Sequence, residues 1–304
     1  MERMEKQVNF SNDLAVKAEK INNLMEEVLS TDTGYAEYLM DAMRYSVNGG
    51  GKRLRPMLME ETCKLFDRKP EELKYFMAAL ELIHSYSLVH DDMPCIDNDE
   101  YRRGRKTTHA VYGETTALLA GDGLLNYAYE TAAKAFDVTD DDALCGKALK
   151  VLSKKAGIFG MVGGQAADVE TEKNGALLSK DRLLYIHENK TGALIEAAMM
   201  IGGILGGAGD DEIKKLEEAG SSIGIAFQIR DDILDVEGSF EELGKPIGSD
   251  AENSKETYVT LFGMDRAKED VKTYSDKALS IIGTLGKGNE FLVKLVESLV
   301  LRTK

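Results

Sequence analysis

Apolar residues recur at spacings of three and four along most of the chain, as in the segments 80–91 and 223–236. These spacings bracket the period of an α-helix, and no segment keeps the sustained alternation typical of a strand. Only four prolines occur, which leaves long stretches free to be helical. The pattern predicts helices over 11–30, 35–47, 55–67, 71–92, 115–136, 141–157, 180–206, 211–237, 265–283 and 289–302.

Two features of this pattern indicate the architecture. The segment 80–92 is apolar on all sides, as expected for a helix at the centre of a large bundle. The glycine-rich stretch 202–209 is typical of close helix packing followed by a turn, and no linker rich in Pro, Gly or Ser divides the chain. We therefore expect one all-α domain over residues 1–304.

Composition narrows the class of protein. The chain is 43% apolar, enough for a sizeable core, and its net charge of −15 argues against binding nucleic acid or anionic membranes. Cys63, Cys95 and Cys145 stand apart, which favours a reducing compartment and disfavours a thiolate zinc site. The first residues lack a signal-peptide core, and no run of about 18 apolar residues occurs, so we expect a cytoplasmic protein without a membrane span.

Asp-Asp pairs occur four times, so a pair alone carries little information. Asp140–Asp142 and the pair Asp210-Asp211 each precede a helical segment. Carboxylates in that position cap the helix N-terminus and complement its dipole. We interpret both as structural.

The other two acidic segments lie late in apolar helices, where carboxylates complement no backbone group. The first acidic segment contains Asp91, Asp92 and Asp97, and the second contains Asp231, Asp232 and Asp235. Like charges on one helix face repel unless a cation is present. Carboxylates together with water and phosphate oxygens are the ligands that magnesium prefers. The sequence therefore predicts two magnesium-binding segments.

Two basic clusters stand out in this acidic chain, at Gly49–Arg55 and at Arg102–Lys106. Glycine lets the backbone approach a ligand closely, and arginine forks match the oxygens of a diphosphate. Neither cluster is a Walker A loop, and no dinucleotide fingerprint occurs. Beside two acidic segments, the clusters indicate diphosphate binding rather than solvated basic turns.

The order of these motifs resembles that of the trans-isoprenyl diphosphate synthases, and most closely of their bacterial farnesyl-forming members. The matching segments are Gly50–Pro56, His90–Asp99, Arg102–Gly104, Gly163–Gln165, Lys190–Gly192, Phe227–Asp235, Gly244–Gly248 and Lys255–Tyr258. The resemblance implies a polyprenyl synthetase domain, a helical bundle of the isoprenoid-synthase type around a central active-site cavity. It also implies a homodimer and three magnesium ions in each active site.

The resemblance assigns roles to single residues. Two of the magnesium ions would bind Asp91, Asp92 and Asp97, and the third would bind Asp231 with Asp232 and Asp235 nearby. The allylic diphosphate would contact Arg102, Lys190, Gln228, Lys245 and Lys255. The second substrate, isopentenyl diphosphate, would contact Lys52, Arg55, His84 and Arg103. The Thr191 hydroxyl and the carbonyls of Lys190 and Gln228 would stabilise the allylic cation.

The implied activity is a magnesium-dependent head-to-tail (1'-4) prenyl transfer. Dimethylallyl or geranyl diphosphate would condense with isopentenyl diphosphate to give farnesyl diphosphate and free diphosphate. Tyr86 and Ser87 precede Asp91 where, in the resemblance, an aromatic ring closes the pocket for the growing chain. A core tyrosine without this role, and a geranylgeranyl diphosphate synthase of the same family, are the open alternatives.

One position departs from the family. Gly123 stands in Gly121–Leu124 where the family commonly has alanine, and it should loosen the helix by about 1 kcal/mol. No catalytic role is put in doubt by this change.

Other classes of protein fit less well. Glu81 and His84 form one di-iron half-motif, where a di-iron bundle needs two, and four histidines are too few for a His-rich phosphohydrolase. A class I terpene cyclase shares the first acidic segment but needs no site for a second diphosphate. A non-catalytic prenyltransferase subunit would not need both acidic segments intact.

Overall fold

Helices make up nearly all the regular structure in this computed structural model, which describes residues 2–30, 32–174, 176–237 and 257–300. The all-α class is confirmed. The α-helices are α1 (Glu2–Leu29), α2 (Glu37–Val47), α3 (Leu54–Cys63), α4 (Leu73–Asp91), α5 (Thr108–Tyr112), α6 (Glu114–Ala133), α7 (Asp142–Ala156), α8 (Met161–Asn174), α9 (Lys180–Ile186), α10 (Ala193–Gly206), α11 (Asp210–Glu237), α12 (Tyr258–Phe262), α13 (Met264–Ile282) and α14 (Glu290–Val300).

The remaining elements are short. A π-helical segment, His187–Gly192, joins α9 to α10, and 3₁₀ turns cover Gly34–Ala36 and Lys134–Asp137. Strands β1 (Tyr101–Arg102) and β2 (Arg105–Lys106) pair antiparallel as a hairpin.

Each predicted helix corresponds to an observed one, with differences in bounds and continuity. The first begins at Glu2 rather than at residue 11, and the predicted helix over 180–206 is interrupted by the π segment. Helix α8 was not predicted, because Gly163, Gly164 and its polar residues leave it without an apolar stripe.

The chain divides into two compact units, Met1–Glu60 with Pro70–Gly146 and Glu61–Lys69 with Lys147–Lys304. In the first unit, α4 packs against α6 and also contacts α1 and α2. Helix α4 is buried on all sides over Phe76–Ile83, which confirms the central position predicted from its apolar pattern. The single domain over 1–304 stays a prediction.

The second unit is built on α11, which packs against α10 and α13. A Cβ on Gly203 would lie 2.3 Å from the side chain of Leu216, and Gly207 ends α10 in the left-handed region with φ +95°. Close packing followed by a turn is therefore confirmed for the stretch 202–209.

The acidic residues Asp140–Asp142 and Asp210-Asp211, which were predicted to cap helices, lie at the starts of α7 and α11. The Asp141 carboxylate accepts hydrogen bonds from the amides of Ala143 and Leu144 at 3.1 and 3.2 Å. Helix α11 begins at Asp210, with Asp211 in its first turn. Both interpretations are confirmed. Among the described residues, no helix combines the length and the apolar character that crossing a membrane requires.

Candidate active site

The first acidic segment folds back on the end of α4. The amide of Asp97 donates to the carbonyl of Asp91 at 2.9 Å, and the amide of Asp99 donates to the carbonyl of Asp92 at 3.2 Å. Asn98 makes the turn possible with a φ of +57°, a conformation that asparagine tolerates. The turn keeps Asp97 and Asp99 at the end of the helix that carries Asp91 and Asp92.

Asp92 is held by an arginine. It is only 5% exposed, and it accepts a hydrogen bond from Nε of Arg102 at 2.6 Å. Nη2 of the same guanidinium lies 3.8 Å from Asp99. Burial raises the pKa of Asp92, the negative charges of Asp99 and Asp97 act in the same direction, and Arg102 opposes them. Arg102, which is predicted to bind the allylic diphosphate, is thus hydrogen-bonded to Asp92, a predicted metal ligand.

The donor set of this segment fits magnesium shared with a diphosphate. Among the described residues, no three Asp, Glu, His or Cys side chains converge into a cage of protein ligands alone. Magnesium uses one or two carboxylates together with waters and substrate phosphates. Asp97 and Asp99 repel the negative charge of Asp92, and a bound cation would offset this repulsion.

Arg53 is the structural residue of the first basic cluster. It is 5% exposed with a φ of +49°, and it donates to Glu81 at 2.7 Å and to the Val47 carbonyl at 2.6 Å. Its Nε also donates to Asn22 at 2.7 Å. These bonds anchor the loop that leads into α3. The flanking Lys52 is exposed and Arg55 is half-buried.

Two of the predicted isopentenyl diphosphate ligands, Arg55 and Arg103, lie close enough to His84 to act on its charge. Burial lowers the pKa of His84 well below its ordinary value, and Arg55, Arg103, Arg102 and Arg53 lower it further. The imidazole is therefore neutral at neutral pH. The buried Nε of Arg55 has no hydrogen-bond partner within the described part of the chain. Guanidiniums around a neutral ring, one with an unused buried donor, are suited to bind an anion.

The β1–β2 turn joins this cationic cluster to the first acidic segment. Arg103, with φ +53°, donates through Nη1 to the carbonyl of Gly50. A Cβ on Gly51 would lie 2.7 Å from the same nitrogen, and Gly51 has a φ of +147°, a conformation that favours glycine. Asp92, Arg102 and Arg103 line one shallow cleft of about 50 Å³. Acidic and basic candidate residues thus share a surface of the first unit.

In the second unit, Lys190 and Thr191 lie in the π segment. A Cβ on Gly164 would lie 2.1 Å from the Lys190 amide nitrogen, and a Cβ on Gly224 would lie 2.4 Å from Cα of Gly192. The glycines therefore let both α8 and α11 approach the segment closely. Single-turn π-helices of this kind occur frequently at functional sites.

Lys190 forms an ion pair with a carboxylate that was not among the predicted site residues. Asp168 on α8 is 6% exposed, and it accepts a hydrogen bond from the Lys190 ammonium at 2.5 Å. Its position was not seen because α8 was not predicted. The signal available in the sequence was the motif Gly163–Gln165, which ends one helical turn before Asp168.

The second acidic segment lies near the end of α11. Asp231 and Gln228 are half-buried and Asp235 is 5% exposed. Asp232 accepts a hydrogen bond from the Tyr258 amide at 2.7 Å, and its carboxylate lies 3.9 Å from Nε2 of His187. Asp232 thus ties α11 to the start of α12, in addition to the metal role predicted for it.

Two predicted ligands of the allylic diphosphate, Lys245 and Lys255, lie outside the described residues. The chain-length candidates lie on α4 in the first unit. Tyr86 is 5% exposed with its ring edge-on to His90, 5.8 Å between centroids. Burial raises the pKa of Tyr86, and the nearby Tyr129 and Asp91 raise it further. The Ser87 hydroxyl is used within the helix, where it donates to the His84 carbonyl at 2.9 Å.

Comparison with known proteins decides the family. The polyprenyl synthetase family model matches residues 36–285, most of the chain. The chain belongs to the polyprenyl synthetase family. Over 240 residues it is 44% identical to a farnesyl diphosphate synthase of Geobacillus stearothermophilus, covering 79% of this chain and 80% of that one.

Solved structures of the family agree with the fold. A geranylgeranyl pyrophosphate synthetase of Pyrococcus horikoshii superposes with a TM-score of 0.87 at 31% identity, covering 98% of this chain and 99% of that one. A geranyltransferase of Helicobacter pylori, solved with magnesium and isoprenyl diphosphate, superposes with a TM-score of 0.80 at 31% identity, covering 95% and 96%. The chain is therefore a prenyltransferase of the trans-isoprenyl diphosphate synthase type. Both a farnesyl diphosphate synthase and a geranylgeranyl pyrophosphate synthetase are among the proteins that this chain matches.

Proposed function

We propose that this polyprenyl synthetase makes farnesyl diphosphate. It would condense dimethylallyl or geranyl diphosphate with isopentenyl diphosphate head to tail, in a magnesium-dependent reaction that releases diphosphate. The observation that carries the condensation of two diphosphate substrates is the cationic cluster around His84, with the unused buried donor of Arg55. A terpene cyclase, which takes one diphosphate, has no need of this second anion site.

Two different sets of side chains would bind the two substrates. Lys52, Arg55, His84 and Arg103 would hold the diphosphate of isopentenyl diphosphate, with His84 donating from a neutral ring. The allylic diphosphate would be bound by Arg102, Lys190, Gln228, Lys245 and Lys255. Asp91, Asp92 and Asp97, with the second acidic segment, would hold three magnesium ions. When bound, these ions would stabilise the diphosphate as a leaving group.

The reaction then follows from charge. The allylic C–O bond ionises, and the electron pair leaves with the diphosphate. The Thr191 hydroxyl and the carbonyls of Lys190 and Gln228 would stabilise the cation through their oxygen dipoles. The double bond of isopentenyl diphosphate attacks the cation. The departing diphosphate takes the proton, so no side-chain base is required.

Tyr86 supports the farnesyl product. Its buried ring lies on α4 one to two turns before the first acidic segment, where it would stop the growing chain. A geranylgeranyl product is the alternative, since a relative with that activity also matches the fold. A homodimer, a single domain over 1–304 and a cytoplasmic location stay predictions.

One experiment tests the proposal. Purified protein is incubated with labelled isopentenyl diphosphate, magnesium and either dimethylallyl or geranyl diphosphate, and the products are dephosphorylated and separated by chain length. Farnesol is expected from both. Geranylgeraniol as the main product would shift the assignment, and hydrocarbon released from an allylic diphosphate alone would indicate a cyclase. Failure to elongate any primer, with diphosphate binding retained, would indicate a non-catalytic subunit.

A further inference from the structure

Helix α8 carries a buried carboxylate to which the resemblance gave no role. We propose that Asp168 is a positioning residue that fixes the ammonium and the backbone of Lys190 for the allylic diphosphate. This inference rests on the proposed function, because it concerns the lysine expected to contact that substrate.

Burial of Asp168 needs a reason. Its side chain is 9% exposed, while Glu170, two residues on along the same helix, is 59% exposed in its own ion pair with Arg182. A carboxylate is removed from water only where hydrogen bonds and an opposite charge compensate it. For Asp168 one such compensating group is the Lys190 ammonium at 2.5 Å.

The pairing fixes Lys190 at two points. Its amide nitrogen lies against Gly164 and its ammonium against Asp168, and both contacts come from α8. At the end of the π segment, Gly224 of α11 lies in close contact with Gly192. The register of the π segment, and with it the direction of the Lys190 carbonyl and the Thr191 hydroxyl, is therefore set by α8 and α11.

A second polar side chain on α8 shares this face. Gln165 lies one turn before Asp168, and its amide oxygen and nitrogen are buried without a hydrogen-bond partner among residues that the structure describes. Buried amides without partners are rare in native proteins. This face of α8 is therefore polar rather than a packed apolar surface, as expected for one that lies beside a charged ligand.

The chemical consequence concerns the free donors of Lys190. An ammonium has three N–H donors, and the bond to Asp168 occupies one. The other two stay available for diphosphate oxygens, and the side chain loses little conformational freedom on binding because it is already held. Asp168 would thus raise the affinity for the allylic diphosphate without touching it.

The test compares Asp168→Asn with Glu170→Gln, a control on the same helix that also removes one carboxylate from an ion pair. We expect Asp168→Asn to raise KM for geranyl diphosphate about tenfold, the worth of a charge-assisted hydrogen bond, with KM for isopentenyl diphosphate unchanged. Glu170→Gln should leave both constants as in the wild type. Equal changes in both KM values for Asp168→Asn would overturn the inference.

A double variant separates positioning from a general loss of structure. Where Lys190→Met is already present, adding Asp168→Asn should change KM for geranyl diphosphate less than about twofold, because the partner is gone. The double variant removes both members of the pair, whereas Lys190→Met alone leaves the buried Asp168 carboxylate without its lysine, so thermal unfolding of both proteins is measured beside KM. Fully additive effects would overturn the positioning role.

A binding measurement keeps this inference distinct from the proposed function. Isothermal titration with inorganic diphosphate and magnesium should show weaker binding for Asp168→Asn than for the wild type and Glu170→Gln. If the wild type binds diphosphate but elongates no primer, the proposed function fails while Asp168 is still tested. If all three proteins bind diphosphate equally, the inference fails.

Discussion

Nε of Arg102 donates to Oδ1 of Asp92 at 2.6 Å, so a predicted diphosphate ligand is hydrogen-bonded to a predicted metal ligand. Each offsets part of the other's burial cost, and Arg102 opposes the rise in the pKa of Asp92. The pair therefore couples the charge of a predicted metal ligand to a residue predicted to bind the allylic diphosphate.

Replacing Arg102 should therefore change both substrate binding and pH dependence. For Arg102→Gln we expect KM for the allylic diphosphate to rise about tenfold to a hundredfold. Without Arg102 the pKa of Asp92 rises further, so the acidic limb of the kcat/KM profile should move to higher pH. Arg105→Gln, in the neighbouring strand, is the control. A rise confined to KM for isopentenyl diphosphate would contradict the assignment.

The buried pair of Arg53 and Glu81 predicts a stability effect. Both side chains are 4% exposed, and removing one leaves the other charge buried and unpaired. Arg53→Met should lower the free energy of unfolding by about 3–5 kcal/mol, as measured by urea denaturation. The double variant Arg53→Met with Glu81→Leu should recover most of this loss. A cost below about 1 kcal/mol for Arg53→Met would show that the pair is not an anchor.

His84 predicts how stability depends on pH. Because its pKa in the folded protein lies well below 6.5, the unfolded chain takes up a proton first as the pH falls. The contribution of the neutral His84 to the free energy of unfolding is therefore complete above about pH 6.5. It is lost as the pH falls from there toward the lower pKa of His84 in the folded protein. His84→Asn should therefore lose less stability than the wild type between about pH 7.5 and about pH 5.5. Thermal unfolding at both pH values measures this, with His109→Asn as control, and an unchanged difference would argue against a buried neutral His84.

Two neighbouring glycines of α6 predict opposite outcomes. A Cβ on Gly121 would lie 2.0 Å from Nε2 of His90, whereas a Cβ on Gly123 would lie 3.0 Å from the flexible thioether of Met43. Gly121→Ala should therefore displace His90 and destabilise the protein. Gly123→Ala, which restores the common family residue, should stabilise it by up to about 1 kcal/mol. Chemical denaturation measures the free energy of unfolding of both variants. A Gly121→Ala variant more stable than Gly123→Ala would contradict this packing.

Tyr86 predicts the product length. Tyr86→Ala should lengthen the products beyond the fifteen-carbon farnesyl chain, because the buried ring no longer closes the pocket, at a cost of about 2–4 kcal/mol in stability. Tyr86→Phe keeps the ring and should keep the product. Chromatography of the dephosphorylated products distinguishes them, and an unchanged profile for Tyr86→Ala would make Tyr86 a core residue only.

Local rules explain what the sequence alone could determine. Apolar spacing located the helices from α1 to α14 except α8 and the short helices α5 and α12, because burying one helix face requires that spacing. Position within a helix separated the capping pairs at Asp141 and Asp210 from the acidic segments after α4 and in α11, because the helix dipole favours carboxylates only at the N-terminus.

The tertiary structure decided the partners, since these depend on contacts between residues distant in the chain. The resemblance assigned Lys52 and Arg55 to a substrate and left Arg53 without a role, and only the contact with Glu81 makes Arg53 the buried anchor. Likewise, the π segment forms where Gly164 and Gly224 let two helices press on residues 187–192, and Asp168 meets Lys190 only because α8 packs there. Helical period is a local property, whereas desolvation and ion pairing arise when separate helices pack together.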